Sequence, residues 1–487
     1  MNKSTKKKSI KGVKWTSINT LYNAIITPFF YALLAILLSP EGYAYLAVLT
    51  LVNRLAPIIA GFGIEKSYIQ SEKITNNQNA ALFTFTIISS FVMSIILLIL
   101  SPFIESIYNL NNLRLYLYLM TIVIIGSGIQ TVSKAALKKK FLFKEIAIIQ
   151  ILKTTIRVFV TLGLVISGVG VVSFVIGLIL SALYSLIAFI TIAYKNLGLQ
   201  IYVSLHFSSV KDILKHGLPI TIKEFIEHSG QRIDEVIIGT LISAEILGVY
   251  FFGKNFIMQV RNAIIKSFST VLLPLYTEIR NSKKAMQNTY YTIINLTSLI
   301  GFPILIGISL TADLFIPVFL GVKWVDSVLV VQVLSIAIIF PVIIANNATS
   351  FLYSLKKSFL ILNVEILLNI LYFLSLILFV NSDKFEIVLF LFSLYLISNA
   401  ICLQYFVNKQ IKSNMFYFIS SIKNIIIANI VMIFVVLSLK KVMLSNFSVV
   451  FVLFTIILGG IISYSISVFI VDRKSFNKVV NTLIIKK

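Results

Sequence analysis

The feature that most constrains this chain is a succession of apolar stretches, each about 20 residues long, which matches the hydrocarbon thickness of a bilayer when wound as a helix. These stretches recur along all 487 residues. Only 12% of the residues are charged and 58% are hydrophobic, with a mean hydropathy of +0.97. A water-soluble core could not enclose this many apolar side chains. The sequence therefore predicts an all-α integral membrane protein.

Turn and breaker residues divide the apolar stretches into about 14 predicted transmembrane helices. We predict a basic N-terminal segment at 1–14, six-helix bundles at 15–206 and 207–407, and a terminal helix pair with a basic tail at 408–487. The seventh helix is predicted to run without interruption over 213–240. A faint repeat, LSPE followed by GYAY at 38–45 and ISAE followed by GVY at 242–250, has an offset of about 204 residues and favours a pseudo-twofold pair of bundles.

The formal charge of +24 arises from lysines and arginines that collect in alternate loops. With a cytoplasmic N-terminus, the inner loops and tails hold about 28 of these residues and the outer loops about 5, as the positive-inside rule requires. Both termini are therefore predicted to be cytoplasmic. This distribution also argues against nucleic acid as a partner, because no basic segment resembles a nucleic-acid-binding pattern.

The densest charge in any predicted span lies at 221–235. Its ionisable residues include Glu224, Glu227, His228, Arg232, Asp234 and Glu235. Charge inside a bilayer is costly and usually functional. We interpret the acids and the histidine as gating or counter-charge groups, with a hydrogen-bonded structural role as the alternative for His228.

Further cations in the predicted spans are Arg54, Lys153, Arg157, Lys254 and Arg261. An unpaired cation at the bilayer centre costs roughly 2.5–3.5 kcal/mol on insertion scales, so each should face a cavity, an acid or an anionic substrate. Lysine and arginine both suit phosphate. We predict that these five residues and Arg232 line a substrate cavity, with structural pairing to the acids as the alternative. Asn19 and Asn23 are candidates for sugar contacts or for bonds between helices.

The sequence gives little support for an enzymatic function. It contains no Walker A motif and no His/Cys/Asp cluster at metal-ligand spacing. Every predicted loop has about twenty residues or fewer, too few for a catalytic domain beside the spans. We therefore predict a transporter that is not an enzyme and holds no cofactor, and we leave open its coupling to a proton or sodium gradient.

Several short motifs add a family resemblance. They are KGVKW (11–15), LLSPEG (37–42), GFG (61–63), FLFK (141–144), KHGLP (215–219), IIG (237–239) and GVKW (321–324). Together with the helix count they resemble the Wzx-type polysaccharide flippases, in a superfamily with the multidrug MATE transporters and the lipid II flippases. An acidic residue common in this family before the glycine that ends the second helix is missing, because Ala60 precedes Gly61.

The resemblance implies a flippase in the bacterial cytoplasmic membrane that moves undecaprenyl-pyrophosphate-linked oligosaccharide repeat units for surface polysaccharides such as lipopolysaccharide or capsule. It would work by alternating access, with the lipid-linked oligosaccharide and membrane lipids as partners and polysaccharide polymerase machinery as a further candidate. Two alternatives stay open: a MATE-like cation-coupled antiporter of small molecules, and a structural membrane component of a cell-envelope assembly.

Overall fold

The computed structural model describes residues 3–71, 74–199, 202–380 and 384–471. Every regular element within these ranges is a helix. Twelve helical segments there are long and apolar enough to cross a membrane. The prediction of an all-α membrane protein is confirmed, and the count of 14 spans is approximate. Residues 1–2 of the predicted basic N-terminus and the predicted basic tail from 472 onward lie outside the described residues.

The chain forms two compact units, Met1–Phe251 and Phe252–Lys487. Nine helices and the start of a tenth belong to the first unit. They are α1 (Lys3–Leu37), α2 (Pro40–Gly61), α3 (Ile64–Gln70), α4 (Asn76–Tyr108), α5 (Leu113–Lys139), α6 (Phe143–Ile166), α7 (Val172–Leu197), α8 (Lys211–Gly230), α9 (Ile233–Leu241) and α10 (Ala244–Ile279). The remainder of α10 belongs to the second unit, and the bundle boundary at 206/207 stays a prediction.

The second unit continues with seven helices. They are α11 (Lys283–Leu320), α12 (Ser327–Phe340), α13 (Asn346–Ser354), α14 (Ser358–Phe379), α15 (Phe385–Ile411), α16 (Met415–Met443) and α17 (Val449–Val471). A π-helical turn, Pro341–Ala345, joins α12 to α13 within one span. Proline has no backbone N–H to donate to the carbonyl one turn earlier, which explains why the regular α-helix is interrupted at Pro341.

The two copies of the sequence repeat begin helices in the same way. Ser39 Oγ accepts a hydrogen bond from the Gly42 amide at 3.1 Å at the start of α2. Ser243 Oγ accepts one from the Ile246 amide at 3.2 Å at the start of α10. A serine in this position satisfies an amide that has no partner within the helix. A Cβ on Gly248 would overlap the carbonyl oxygen of Pro40, so both copies pack directly against each other.

The predicted continuous seventh helix is wrong, because the segment forms two helices. The helix α8 ends at Gly230 and α9 begins at Ile233. Glycine is a poor helix former, and Arg232 leaves the helical region with φ of −132°. Asp234 and Glu235 then occupy the first turn of α9, where carboxylates complement the positive end of the helix dipole. The break therefore creates a new helix N-terminus inside the charged stretch.

The turn between α2 and α3, in the GFG motif, approaches α8 at backbone distance in the KHGLP motif. Gly63 has a φ of +61°, and a Cβ there would overlap the carbonyl oxygen of Gly217. A Cβ on Gly217 would in turn overlap the carbonyl oxygen of Phe62. Glycine is required here for both backbone conformation and space.

Buried and partly exposed polar groups in the second unit bond to one another. Tyr290 Oη donates to Gln404 Oε1 at 2.5 Å, and Gln404 Nε2 donates to Asn408 Oδ1 at 2.8 Å. Lys440 Nζ lies 2.6 Å from both carboxylate oxygens of Asp313. Because a bilayer offers no water to such groups, these bonds hold α15 against α11 and α16 against α11.

Candidate functional site

The predicted cavity cations divide between the two units. Arg54, Lys153, Arg157 and Arg232 belong to the first unit, and Lys254 and Arg261 to the second. The acids and the histidine of the charged stretch also belong to the first unit. Each unit is therefore described by itself.

A cavity of about 140 Å³ opens in the first unit beside α6. Helices α2, α5, α6 and α7 form its wall. The lining residues are Asn53, Val123, Lys153, Thr154, Arg157, Leu178, Ser181 and Ala182. Two of these side chains are cations and none is an acid. The cavity thus combines positive charge with small neutral polar groups.

Arg157 is half-buried in this wall. Its guanidinium carbon lies 5.6 Å from the centre of the Phe30 ring, within the range of a cation–π interaction. Its Nε is buried and has no hydrogen-bond partner among the described residues. Lys153, one helical turn earlier, has Arg157 and Lys134 as its electrostatic neighbours. Two cations that repel each other in a medium of low dielectric constant favour an anion between them.

Asn19 and Asn23 lie on α1 next to this wall. Asn23 Nδ2 donates to the side-chain oxygen of Asn19 at 2.8 Å, and Thr154 Oγ1 donates to Asn23 Oδ1 at 2.9 Å. Tyr22 Oη and Thr155 Oγ1 are 2.6 Å apart. These hydrogen bonds connect α1 to α6 and fix the orientation of the Thr154 hydroxyl. In this structure the Asn23 amide is engaged in bonds to Asn19 and Thr154.

The break between α8 and α9 holds a set of paired charges. Arg232 Nη1 lies 2.7 Å from Glu235 Oε2, with side-chain exposures of 17% and 5%. Arg232 also stands above the Phe251 ring, with its guanidinium carbon 5.9 Å from the ring centre. Asp234 is fully buried and accepts a hydrogen bond from Tyr250 Oη. Arg232 therefore has a carboxylate partner, unlike the cations of the α6 cavity.

The remaining charges of the stretch surround Arg54. Arg54 has Arg232, Glu227 and Glu235 as electrostatic neighbours. His228 has Arg54, Glu227 and Glu224 among its neighbours. The group contains both cations and acids as neighbours. The acids therefore neutralise much of the positive charge of Arg54 and Arg232.

Glu224 connects this group to a cluster at the end of α2. Lys66 Nζ lies 2.6 Å from Glu224 Oε1. Glu65, in the short helix α3, binds Lys134 Nζ at 2.9 Å and also binds Lys138, both from α5. Burial tends to raise the pKa of Glu65, but the two ammonium groups outweigh it and hold that pKa below its usual value. The cluster joins α3, α5 and α8.

The two cations of the second unit lie near aromatic rings. Lys254 is buried, and its Nζ lies 4.4 Å from the centre of the Phe392 ring. Arg261 has Tyr395 as its electrostatic neighbour, and its buried Nε has no hydrogen-bond partner among the described residues. The rings of Tyr372 and Tyr395 stack at 5.0 Å. Aromatic faces here partly replace the water that these cations lose.

The sequence did not predict a functional role for three residues of these sites. Asn53 and Ser181 line the α6 cavity, and Glu65 organises the cluster at α3. A survey of every uncharged amide and hydroxyl in the spans would have included Asn53 and Ser181. It would not have separated them from the many serines and threonines that bond to their own helix.

Comparisons with known proteins give consistent results. A family model described as "Polysaccharide biosynthesis protein" matches residues 33–329. Teichuronic acid biosynthesis protein TuaB of Bacillus subtilis (strain 168) is 24% identical over 346 residues, 71% of this chain and 71% of that protein. Lipopolysaccharide biosynthesis protein WzxC of Escherichia coli (strain K12) is 22% identical over 338 residues, 68% of this chain and 67% of that protein.

Solved structures resemble the fold. The lipid II flippase MurJ in an inward closed conformation superposes with a TM-score of 0.76 at 16% identity, covering 94% of this chain and 98% of that chain. An inward-facing multidrug resistance MATE family transporter gives 0.58 at 14% identity, covering 82% and 98%. The fold is thus that of the MurJ and MATE transporters.

Proposed function

Because the chain belongs to the polysaccharide biosynthesis protein family, we propose that it is a flippase for undecaprenyl-pyrophosphate-linked oligosaccharide repeat units. The similar proteins TuaB and WzxC are named for surface polysaccharide synthesis, which supports this substrate class. The fold shared with a lipid II flippase supports movement of a lipid-linked saccharide. The family supports transport rather than catalysis.

The uncompensated pair on α6 is the observation that carries the proposal. Lys153 and Arg157 line a cavity with no acidic side chain in its wall, and the Arg157 Nε is buried without a hydrogen bond to any described residue. A pyrophosphate supplies both the negative charge and the acceptor oxygens that such a pair lacks. We place the pyrophosphate of the substrate against these two residues.

The other predicted residues take supporting roles in this proposal. Arg54 and Arg232 stay cavity cations whose charge is balanced by neighbouring acids. Glu224, Glu227, His228, Asp234 and Glu235 act as gate and counter-charge. Lys254 and Arg261 form a second cationic face in the other unit. Asn19 and Asn23 hold α1 and stay candidates for sugar contacts.

The wider setting follows from the same premise. The protein works by alternating access in the bacterial cytoplasmic membrane with both termini in the cytoplasm, as the loop charges predict. Two bundles at 15–206 and 207–407 move against each other, with the helix pair at 408–487 attached. The flipped unit is passed to polymerase machinery, and a proton or sodium gradient is a candidate driving force.

The MATE-like alternative predicts a different cavity. An exporter of cationic compounds needs acids to receive them, whereas the α6 cavity presents two cations among its lining residues. The same charge disfavours a purely structural component, since two unneutralised cations destabilise a membrane fold that gains nothing from them.

Transport by the purified protein tests the proposal. Proteoliposomes would contain an undecaprenyl-pyrophosphate-linked saccharide, and a membrane-impermeant glycosidase would report the sugar that reaches the outer leaflet. We expect protein-dependent exposure that is lost in the double variant Lys153→Gln/Arg157→Gln and kept in Lys441→Gln, a cation exposed at the end of α16. Equal transport by all three proteins would refute the role of the pair.

A further inference from the structure

Lys134 and Lys138 share a single carboxylate at one end of α5. They lie one turn apart on that helix, so their side chains project from the same face. Glu65 binds Lys134 through Oε2 at 2.9 Å and binds Lys138 through Oε1. One negative charge thus bridges two positive charges, and the cluster keeps a positive surplus. A phosphate group can present two of its oxygens to two ammonium groups in the same way.

The cluster is open enough for another anion to reach it. The side chains of Lys134, Lys138 and Glu65 are 25%, 31% and 29% exposed. Ion pairs in contact with water are weak, because solvent screens them and competes for the same groups. A pyrophosphate diester has two negative charges and more acceptor oxygens than one carboxylate. It can therefore replace Glu65 on the two lysines.

Helix α3 does not depend on Glu65 alone for its position. Lys139 Nζ donates to the backbone carbonyls of Tyr68 and Ser71, at the end of α3. Tyr68 is buried, and its hydroxyl donates to Asn79 Oδ1 at 2.7 Å. None of these bonds involves a carboxylate oxygen. The Glu65 side chain can therefore leave the lysines while α3 stays against α5.

The lysine pair and the α6 cavity belong to one run of positive charge. Lys134 is an electrostatic neighbour of Lys153, which lines that cavity together with Arg157. The turn 140–142 between α5 and α6 is cytoplasmic in the proposed topology, and Lys134 and Lys138 lie in the last two turns of α5 before it. Lys153 lies ten residues after the start of α6, about 15 Å along its axis. The charges thus lead from the cytoplasmic side to the cavity.

We propose, on the basis of the proposed flippase function, that Lys134 and Lys138 form an entry subsite for the pyrophosphate of the substrate, which Glu65 occupies until the substrate arrives. The pyrophosphate displaces the carboxylate from both lysines and then passes to Lys153 and Arg157. Glu65 returns to the lysines once they are vacated. The carboxylate therefore stabilises the empty protein and competes with the substrate, so its removal should lower stability and raise affinity.

Binding in a protein without the α6 pair isolates this subsite. The starting variant is full-length Lys153→Gln/Arg157→Gln in phosphatidylcholine nanodiscs, and the probe is undecaprenyl pyrophosphate. We expect weak binding that becomes about tenfold tighter when Glu65→Gln is added, because two ammonium groups lose their competitor. Adding Glu65→Gln should have no effect when Lys134→Gln/Lys138→Gln is also present, because the pair that it would release is gone.

A matched variant and a second lipid complete the design. Glu145→Gln removes the same charge from the first turn of α6, where Glu145 forms no ion pair within the described part of the chain, and should leave the affinity unchanged. Phosphatidylglycerol has a single phosphate with one negative charge, so it should compete about tenfold less well than undecaprenyl pyrophosphate in the Glu65→Gln variant. A gain in affinity cannot arise from a folding defect, so the test holds even if Glu65→Gln lowers the thermal midpoint.

The outcomes separate this inference from the function on which it rests. An affinity unchanged by Glu65→Gln, an equal gain from Glu145→Gln, or equal competition by phosphatidylglycerol overturns the entry subsite. Each of these results leaves the flippase proposal intact, because that proposal depends on Lys153 and Arg157. Wild-type protein that does not bind undecaprenyl pyrophosphate overturns both.

Discussion

Arg157 and Phe30 are joined by a cation–π contact, with the guanidinium carbon 5.6 Å from the ring centre. The Nε of this arginine is buried and has no hydrogen bond to another described residue. An aromatic face compensates a cation only partly. Arg157 therefore keeps electrostatic and hydrogen-bonding capacity for a ligand, which distinguishes it from Arg232 with its carboxylate partner.

The first prediction concerns the shape of the Arg157 side chain. Arg157→Lys keeps the charge but loses the planar fork that binds two phosphate oxygens at once, and Arg157→Gln loses the charge as well. We expect transport to fall by about tenfold in the lysine variant and further in the glutamine variant, in line with about 1.5–3 kcal/mol for a charge-assisted bond. The glycosidase-accessibility assay measures both, and a lysine variant at wild-type rate would argue against bidentate binding.

The second prediction concerns Glu65 and pH. Its folded-state pKa lies below the usual value because Lys134 and Lys138 bind the carboxylate. The contribution of this group to stability is therefore present above the unfolded-state pKa and is lost as the pH falls through the folded-state pKa. We expect the thermal midpoint of the detergent-solubilised protein to decline on acidification below about pH 4, where carboxylates take up protons.

The matched variant for this measurement is Glu65→Gln. It removes the titrating group, so its midpoint near neutral pH should be lower by a few degrees, about what the loss of 1 kcal/mol produces in a protein of a few hundred residues. The part of the acid-induced decline that belongs to Glu65 should disappear. An acid profile identical to that of the wild-type protein would contradict this assignment.

The third prediction concerns the close contact between the α2–α3 turn and α8. Gly63→Ala places a Cβ at a φ of +61° and against the Gly217 carbonyl. We expect a loss of about 1–3 kcal/mol or more of folding free energy, as for other overpacked sites. Gly163→Ala is the control, because nothing lies within 4 Å of a Cβ there, in the last turn of α6. Alanine should be tolerated or stabilising at that site, and equal thermal midpoints for the two variants would speak against a tight contact.

The fourth prediction concerns Arg232 and Glu235. Glu235→Gln takes the carboxylate from a largely buried arginine, and we expect a loss of about 3–5 kcal/mol in stability, as for other broken buried ion pairs. The double variant Arg232→Gln/Glu235→Gln removes both charges and should recover most of that stability. Thermal unfolding of the three proteins measures this coupling.

Transport by the same double variant separates two roles. If the pair belongs to the gate, the stable double variant should still transport poorly. If the pair serves only as a structural link, transport should return together with stability. The second result would remove Arg232 and Glu235 from the proposed gate and would favour a scaffold role for this part of the protein.

Several family motifs could be recognised in the sequence, but their physical meaning could not. Gly12 of KGVKW packs on Phe143 of FLFK, and Lys144 Nζ stands 5.7 Å from the centre of the Trp15 ring. The GFG motif meets KHGLP at the contact of Gly63 with Gly217. These four motifs lie at contacts between helices or helix ends, and each needs a partner segment that is distant in the chain.

The charged stretch at 221–235 shows what local sequence can predict about this protein and what it cannot. Structural pairing of the span cations with the acids was one of two alternatives that the sequence left open, and Arg232 does pair with Glu235. The break at Gln231 and Arg232 was missed, because the helical pattern continues through it and Gly230 was not treated as a helix end. As a result, the new helix N-terminus beside Asp234 and Glu235 was also missed.

By itself the sequence determined that the chain lies in a membrane, that it is helical, and which residues carry charge inside the spans. Hydropathy, helix length and loop charge act locally, so they can be read without knowing the partners. Only the tertiary structure decided which of the cations stay without a carboxylate and that Asn53 shares a cavity with two of them. Those properties depend on contacts among α2, α5, α6 and α7, and no single helix contains them.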